Sequence, residues 1–357
     1  MPSRDFWRGR RVLVTGHTGF KGTWLCILLR MLGARVHGIS RDIPTQPSLF
    51  ELAKVGEFAQ TDFQDIRDLD RLRELVRNAE PEIVVHAAAQ SLVRESYRNP
   101  AETFGSNVIG TAYLLEAVRH APSVRAAVVV TTDKCYENAG AKMRFKEDDR
   151  LGGSDPYSAS KAAAEIVTAA IRHSFHGPAS AGARKVAIAT VRAGNVIGGG
   201  DWAANRLVPD AMRAILEGKA LEVRNPAMVR PWQHVLDPLH GYLLLAEKLT
   251  NEGEKFSEAW NFGPDEASEW PVSRVVGRLC ELWGQGASWI HAPLDDGAHE
   301  AAYLTLDSTK ARNRLGWKPQ LMMEDALRLT MEWYRAFAKG ENVLAVTEQQ
   351  ISQGLKA

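Results

Sequence analysis

The stretch Arg10-Arg11-Val12-Leu13-Val14-Thr15-Gly16-His17-Thr18-Gly19-Phe20-Lys21-Gly22 decides the fold. Arg10 to Thr15 carries the β-branched and apolar residues of a strand entering a sheet. Glycines at 16, 19 and 22 follow it. That spacing permits a tight turn, close approach of backbone to a pyrophosphate, and close packing of the next helix on the sheet. The helix, Phe20 to Leu32, points its first amides at the phosphates, and Lys21 adds a charge there. Gly33 ends the helix, and Arg35 to Ser40 forms the second strand. Strand, glycine loop, helix and second strand in this order identify a dinucleotide site. Gly16, His17, Thr18, Gly19, Phe20, Lys21 and Gly22 are its first candidates. At the end of the second strand stand Ser40, Arg41 and Asp42. An acid there binds adenosine ribose hydroxyls and selects NAD, whereas an Arg suits the phosphate of NADP. Composition leaves that choice open.

The pattern repeats downstream. A third strand is expected over Gly56 to Thr61. Asp65 then faces the adenine amino group with Ile66 against the ring, or Asp65 caps the helix Leu69 to Asn78. Glu82 to His86 is near-continuously apolar, as a central parallel strand must be. Ala87, Ala88 and Ala89 keep the backbone open for a nicotinamide ribose. A long helix runs from Asn99 to His120, with Asn107 inside it to tie helix backbone to the active strand. This order predicts an α/β fold, a Rossmann-type doubly wound parallel sheet, with ligands at the carboxyl ends of its strands. The expected division is a dinucleotide domain over 1–195, to which some later segments return. A smaller C-terminal α/β substrate lobe spans 196–340, and a polar tail spans 341–357.

Chemistry concentrates between Thr131 and Lys161. Val128-Val129-Val130-Thr131-Thr132 reads as a buried strand ending in Thr132, Asp133 and Lys134. A polar loop from Glu137 to Gly153 leads to Asp155, a cap, and Pro156, a first helical residue. Tyr157 and Lys161 sit four apart on that helix and share a face. An ammonium beside a phenol favours the phenolate, drawing the tyrosine down from about 10 towards working pH. A tyrosine so tuned removes a hydroxyl proton.

Lys+Arg 44 against Asp+Glu 43 gives a net charge of +1. That balance offers no field for nucleic acid or an acidic membrane. The three cysteines, Cys26, Cys135 and Cys280, are far apart and lack metal spacing. They suggest a reducing compartment. The N-terminus lacks the apolar core of a signal peptide, and Arg30 interrupts its longest apolar run. A soluble cytoplasmic protein with no metal is expected. There is no internal repeat, and residues 177–183 form only a short small-residue loop.

In the second half, Lys185 to Val191 is another strand, followed by Asn195, a candidate partner for a substrate phosphate or sugar. Gly198, Gly199 and Gly200 turn the chain into the lobe. A helix spans Asn205 to Leu216 with Arg206 near its start. Arg230, in Met-Val-Arg-Pro-Trp, suits a pyrophosphate oxygen. Trp202 either stacks on a base or packs in the core, and His234 is structural. An amphipathic helix covers Asp237 to Leu249, and later helices run from Val272 to Trp283 and from Glu324 to Phe337. Short strands are expected at Trp260 to Gly263 and Trp289 to His291.

Together Gly16, Gly19 and Gly22, Asp65-Ile66-Arg67, His86-Ala87-Ala88-Ala89, Asn107, and Tyr157 with Lys161 resemble the extended short-chain dehydrogenase/reductase family. The resemblance covers nearly the whole chain, to about Pro319. Longer blocks at 16–22, 131–138, 192–202 and 230–235 are similar to its nucleotide-sugar 4,6-dehydratases, and among them to those acting on CDP-linked glucose. The resemblance implies tightly held NAD, with Asn107, Tyr157 and Lys161 in its site and a homodimer built on the two alanine-rich helices. It implies that Tyr157 takes the 4-hydroxyl proton while hydride leaves C4, and that Thr132 binds the 4-oxygen. Asp133 would be the acid at the 6-hydroxyl and Lys134 the base at C5. Lys134 departs from the Glu of the dTDP-glucose and GDP-mannose enzymes. As a base it must be neutral for part of the time, and burial with a neighbouring cation such as Lys161 is expected to lower it. A 4-epimerase needs Tyr157 and Lys161 but no acid–base pair. A non-catalytic dinucleotide sensor needs neither.

Overall fold

The structure is a computed structural model that describes residues 1–138, 140, 143–177, 185–284, 286–293 and 303–354. The small-residue loop therefore lies, from residue 178 onward, outside the described residues.

Seven parallel strands form the central sheet. They are β1 (Arg11–Thr15), β2 (Arg35–Ser40), β3 (Gln60–Phe63), β4 (Ile83–His86), β5 (Ala126–Val130), β6 (Ala187–Ala193) and β7 (Ala259–Phe262). Their spatial order is β3-β2-β1-β4-β5-β6-β7. Chain order reverses between β1 and β4, the position at which a doubly wound sheet opens a ligand crevice. Register sets the height of that crevice. Thr15 lies opposite Ile39 and His86, and His86 lies opposite Val129. The carboxyl ends are therefore level, and the loops after Thr15, Ser40, His86 and Val130 open on one rim.

The helices used below are α1 (Phe20–Met31), α2 (Leu69–Ala79), α3 (Pro100–Phe104), α4 (Gly110–Arg119), α5 (Pro156–His176), α6 (Leu207–Leu216), α7 (Leu236–Glu252), α8 (Val272–Trp283), α9 (Thr309–Leu315), α10 (Met323–Ala338) and α11 (Val343–Gly354). Strand side chains alternate between two cores. Val12, Val14, Val85 and Val128 meet α1 and α7 on one face. Leu13, Val84, Ala127 and Val129 meet α2 and α4 on the other.

Several expectations shift. The third strand starts at Gln60, because Val55–Glu57 is a single 3-10 turn. The long helix from Asn99 is three pieces: α3, a π-helical turn over Gly105–Ile109, and α4. Trp260, assigned to the second half, joins the main sheet in β7. The Asp237–Leu249 helix is α7, and it buries Leu236 to Leu243 in an unbroken run. Its polar side is confined to the later turns, at Glu247, Lys248 and Asn251. The polar tail is a helix, α11, whose Val343, Thr347 and Ile351 are buried. Trp333 Nε1 donates to Thr347 Oγ1 at 3.0 Å, and Gln350 Nε2 donates to the Leu329 carbonyl at 2.8 Å. Its polar composition hid a narrow apolar stripe that α10 and α1 complete.

Outside the main sheet, α6 and α8 accompany short strand pairs, Leu221–Val223 with Trp289–His291 and Val229–Pro231 with Glu269–Pro271. Leu221, Val223 and Arg230 of these segments line one cleft with the loops after β1, β2, β4 and β5.

Candidate active site

The glycine loop is fixed by contact. Gly16 has φ +73°, and a Cβ there would sit 2.6 Å from the Ala88 amide. A Cβ on Gly22 would fall 2.1 Å from the Gly16 carbonyl. Only glycine permits both approaches. His17 points away from the cleft, into the sheet beside Gly38. Thr61 Oγ1 donates to the Ala59 carbonyl at 3.2 Å, so it accepts from His17 Nε2 at 3.1 Å. His17 Nδ1 then accepts from Ser40 Oγ at 2.8 Å, and Ser40 Oγ accepts from the Thr18 amide at 3.3 Å. Burial lowers His17 to about 4, so the ring is neutral. His17 and Ser40 brace the loop from behind.

A second chain of hydrogen bonds crosses the switch point. Thr111 Oγ1 donates to the Asn107 carbonyl at 2.7 Å and accepts from His86 Nε2 at 3.0 Å. His86 Nδ1 accepts from Thr15 Oγ1 at 2.6 Å, which in turn accepts from the Ala88 amide at 3.3 Å. Burial lowers His86 to about 3. Asn107 does not line the cleft. Its side chain receives the Gln90 amide at 2.9 Å and donates to the Gln90 carbonyl and to Ser160 Oγ. The π turn gives this one residue both partners, a recurrent use of such turns near functional sites.

The reacting side of the cleft gathers Thr132, Asp133, Lys134, Tyr157 and Lys161. Thr132 Oγ1 donates to Asp133 Oδ1 at 3.1 Å, and Lys134 Nζ lies 3.6 Å from the same oxygen. Asp133 is 1% exposed, and its Oδ2 has no hydrogen-bond partner among the described residues. A Cβ on Gly194 would come within 3.1 Å of that oxygen. As expected, Asp155 Oδ1 accepts from the Ser158 amide and Pro156 opens α5. The expected depression of Tyr157 is reversed. Burial raises the phenol above 10, against Lys134 and a Thr132 hydrogen bond. Lys161 is turned under the strand end, where Nζ donates to the Val130 carbonyl at 3.0 Å. Burial lowers Lys161 to about 8.

Sequence reading missed what holds this loop to α5. Glu165 follows Lys161 by one turn, on the face of Tyr157. Its carboxylate accepts from Thr131 Oγ1 at 2.5 Å, Thr190 Oγ1 at 2.6 Å, and Arg192 at 2.8 and 2.9 Å. Arg192 also donates to Tyr136 Oη at 2.7 Å, and Tyr136 donates to Asn261 Oδ1 at 2.7 Å. Arg192 inside the buried strand β6 was the available signal, since such an Arg requires a partner.

Across the cleft, Arg206 donates to Asp201 Oδ2 at 3.0 Å and to Ser91 Oγ at 2.9 Å. Arg230 is 5% exposed and donates to the Val229 carbonyl. Asn195 lines the cleft, and its Oδ1 is buried without a hydrogen-bond partner among the described residues. Trp202 packs edge-on against Tyr334, which favours the core reading. Buried His234 packs edge-on against Trp24. At the adenosine end, both Asp65 oxygens are taken by Arg67, and the cap of α2 is Asp68. Ile66, Ala87, Ala88, Ala89, Ser40 and Arg41 line this end, and Lys21 lines the middle. The whole cleft is about 940 Å³.

A glycine loop at a switch point, with Tyr157 and Lys161 in the same cleft, defines a doubly wound nucleotide-binding protein of dehydrogenase type. The chain belongs to the family whose model is described as GDP-mannose 4,6 dehydratase, which matches residues 13–330. It is 46% identical, over all of its length and 99% of the relative's, to the CDP-glucose 4,6-dehydratase of Salmonella typhimurium. Among solved structures it resembles DesIV, a dTDP-glucose 4,6-dehydratase from Streptomyces venezuelae with NAD bound. The TM-score is 0.77 at 27% identity, with 94% of this chain and 99% of the other covered. It also resembles the UDP-glucose 4-epimerase of Thermotoga maritima, with TM-score 0.79, 25% identity and 91% and 99% coverage. No described helix is long and apolar enough to cross a membrane.

Proposed function

We propose that this protein is an NAD-dependent hydro-lyase that converts CDP-D-glucose to CDP-4-keto-6-deoxy-D-glucose. The observation that carries the reaction type is the Asp133–Lys134 pair beside Tyr157. The full-length likeness to the Salmonella enzyme supports the cytidine nucleotide.

Bound NAD supplies a hydride acceptor for C4, a hydride donor for C6 and a ring cation that favours the Tyr157 phenolate. Gly16, Gly19 and Gly22 fit its pyrophosphate, because every Cβ-sized obstacle to close approach is absent there. Tyr157 removes the 4-hydroxyl proton, and Thr132 holds the 4-oxygen. The new ketone acidifies the C5 proton, which neutral Lys134 takes. Protonated Asp133 gives its proton to the 6-hydroxyl, which leaves as water; hydride is then added at C6 while the Lys134 ammonium returns its proton to C5. The elimination leaves Lys134 as ammonium and Asp133 as carboxylate. Lys134 Nζ stands 3.6 Å from Asp133 Oδ1, so the two charges can pair at that stage; once Lys134 has reprotonated C5, passage of the Tyr157 proton to Asp133 through solvent restores the starting state. Asn195, Arg206 and Arg230 hold the sugar and pyrophosphate.

A 4-epimerase is the second reading, favoured by the likeness to the Thermotoga enzyme. Incubation with CDP-glucose deuterated at C4 separates the two. Deuterium at C6 of a 4-keto product supports dehydration, and a recovered C4 epimer with no keto product refutes it. In Lys134→Ala, unchanged exchange of the C5 proton with solvent would remove Lys134 from its role.

Two copies are proposed to pair through α3, α4 and α5. Phe104, Ile109, Ile166 and Phe175 are exposed there, Ile166 at 59%. Ile166→Glu should convert the dimer to a monomer in sedimentation. Three free cysteines, two of them buried, support a reducing, cytoplasmic setting.

A further inference from the structure

Arg41 follows the last residue of β2, the position at which an arginine would receive the 2′-phosphate of NADP. The structure engages it on both sides. Arg41 Nε donates to Asp42 Oδ2 at 2.9 Å, and Arg41 Nη1 donates to Glu102 Oε1 at 2.6 Å. The other Glu102 oxygen accepts from Arg67 Nη1, and Arg67 Nη2 donates to Asp65 Oδ2 at 2.6 Å. Five charged side chains thus run in a line from the end of β2, through Glu102 on α3, to the loop after β3. Three are carboxylates and two are guanidinium groups, so the line carries a net charge of −1. Arg41, Asp42, Asp65 and Glu102 all line the adenosine end of the cleft. Against its partial burial, Arg67 and Arg41 hold the Glu102 carboxyl below its usual range. Ser40 is also committed, to His17 and the Thr18 amide.

We propose that Glu102 is a coenzyme-specificity residue: by occupying Arg41 and Arg67 it leaves the Asp42 carboxylate as acceptor for a ribose 2′-hydroxyl and keeps both of these guanidinium groups from a 2′-phosphate. A phosphomonoester brings a charge of about −1.5 to −2 at neutral pH, and it would have to displace a carboxylate from both guanidinium groups. A hydroxyl has only to donate to the Asp42 carboxylate. The adenosine end therefore selects NAD although an arginine follows its strand. This rests on the reading of the cleft as a dinucleotide site.

The test is direct binding of NAD+ and NADP+ to coenzyme-stripped protein, followed by calorimetry or tryptophan fluorescence. The unaltered chain should bind NAD+ at least about tenfold more tightly. Glu102→Gln should tighten NADP+ about tenfold and leave NAD+ within about threefold. Adding Arg41→Ala to Glu102→Gln should abolish that gain. Arg41→Ala alone should change NADP+ binding by less than about threefold, because the guanidinium is already occupied. Equal binding of the two coenzymes by the unaltered chain overturns the proposal. So does a Glu102→Gln variant in which both affinities move together, or a large loss of NADP+ binding in Arg41→Ala alone. If the folded, unaltered chain binds neither coenzyme, the dinucleotide reading itself fails.

Discussion

Tyr157 is 8% exposed, and its phenol is pushed up by that burial, so its reactivity must come from charges placed around it. Tyr157→Phe keeps the ring and removes only the proton acceptor. Turnover is expected to fall by about 10²–10⁴-fold with unchanged thermal stability, because a positioned acid or base contributes about that much. Near-normal turnover in a CDP-glucose assay would remove Tyr157 from the reaction. Lys161 makes a prediction about pH. Its folded value, about 8, lies below the ordinary 10.5. Below pH 8 both folded and unfolded chains hold the proton, and folding carries the cost of a buried ammonium. Between about 8 and 10.5 the unfolded chain binds more protons, so stability rises with pH. Relative to Lys161→Met, the unaltered chain should gain up to about 1.4 kcal/mol per pH unit across that window. Urea midpoints that fall relative to the variant would contradict this.

At the scale of elements, α5 and the end of β5 must be held in register for Tyr157 to face Thr132 and Asp133. Glu165 and Arg192 supply that register through five side-chain hydrogen bonds to or from Thr131, Thr190, Tyr136 and each other. Both are nearly unexposed, at 4% and 2%. Arg192→Met leaves a buried carboxylate without its cation and is expected to cost about 3–5 kcal/mol. The double variant Glu165→Met with Arg192→Met should recover much of that stability, because no uncompensated charge remains. It should still lose turnover, since the strand end is no longer tied to the helix. Full activity in a stable double variant would refute the positioning role. The π turn at Gly105–Ile109 works likewise. Asn107→Ala abandons the Gln90 amide and carbonyl, and chemical denaturation should show a loss of about 1–3 kcal/mol.

Over the whole molecule, the last described helix covers part of the core. α11 packs on α1, the helix that carries the glycine loop at its start, and on α10. A chain ending at Gly340 would expose Trp333, which is 0% exposed in the full chain. It should melt several degrees lower and aggregate, because a Trp-sized apolar face is worth about 3 kcal/mol or more. A truncated protein with unchanged melting would show that α11 is dispensable. The same polar segment read as a tail in the sequence, because its apolar stripe is narrow and its partners lie far away in the chain.

The sequence by itself determined the doubly wound sheet, since strand, glycine loop and helix are local patterns enforced by sterics and side-chain period. It also located Tyr157, Lys161 and the Thr132–Lys134 triplet, whose neighbours lie within one turn or one strand end. Tertiary structure alone decided the rest. Whether Arg41 is available depends on Glu102, and whether Tyr157 is acidified depends on burial and on Lys134 rather than on its helical neighbour. Glu165 finds Arg192 only when α5 packs on β6. Charge state and hydrogen-bond partnership are set by distance in space, and a linear pattern does not carry that distance.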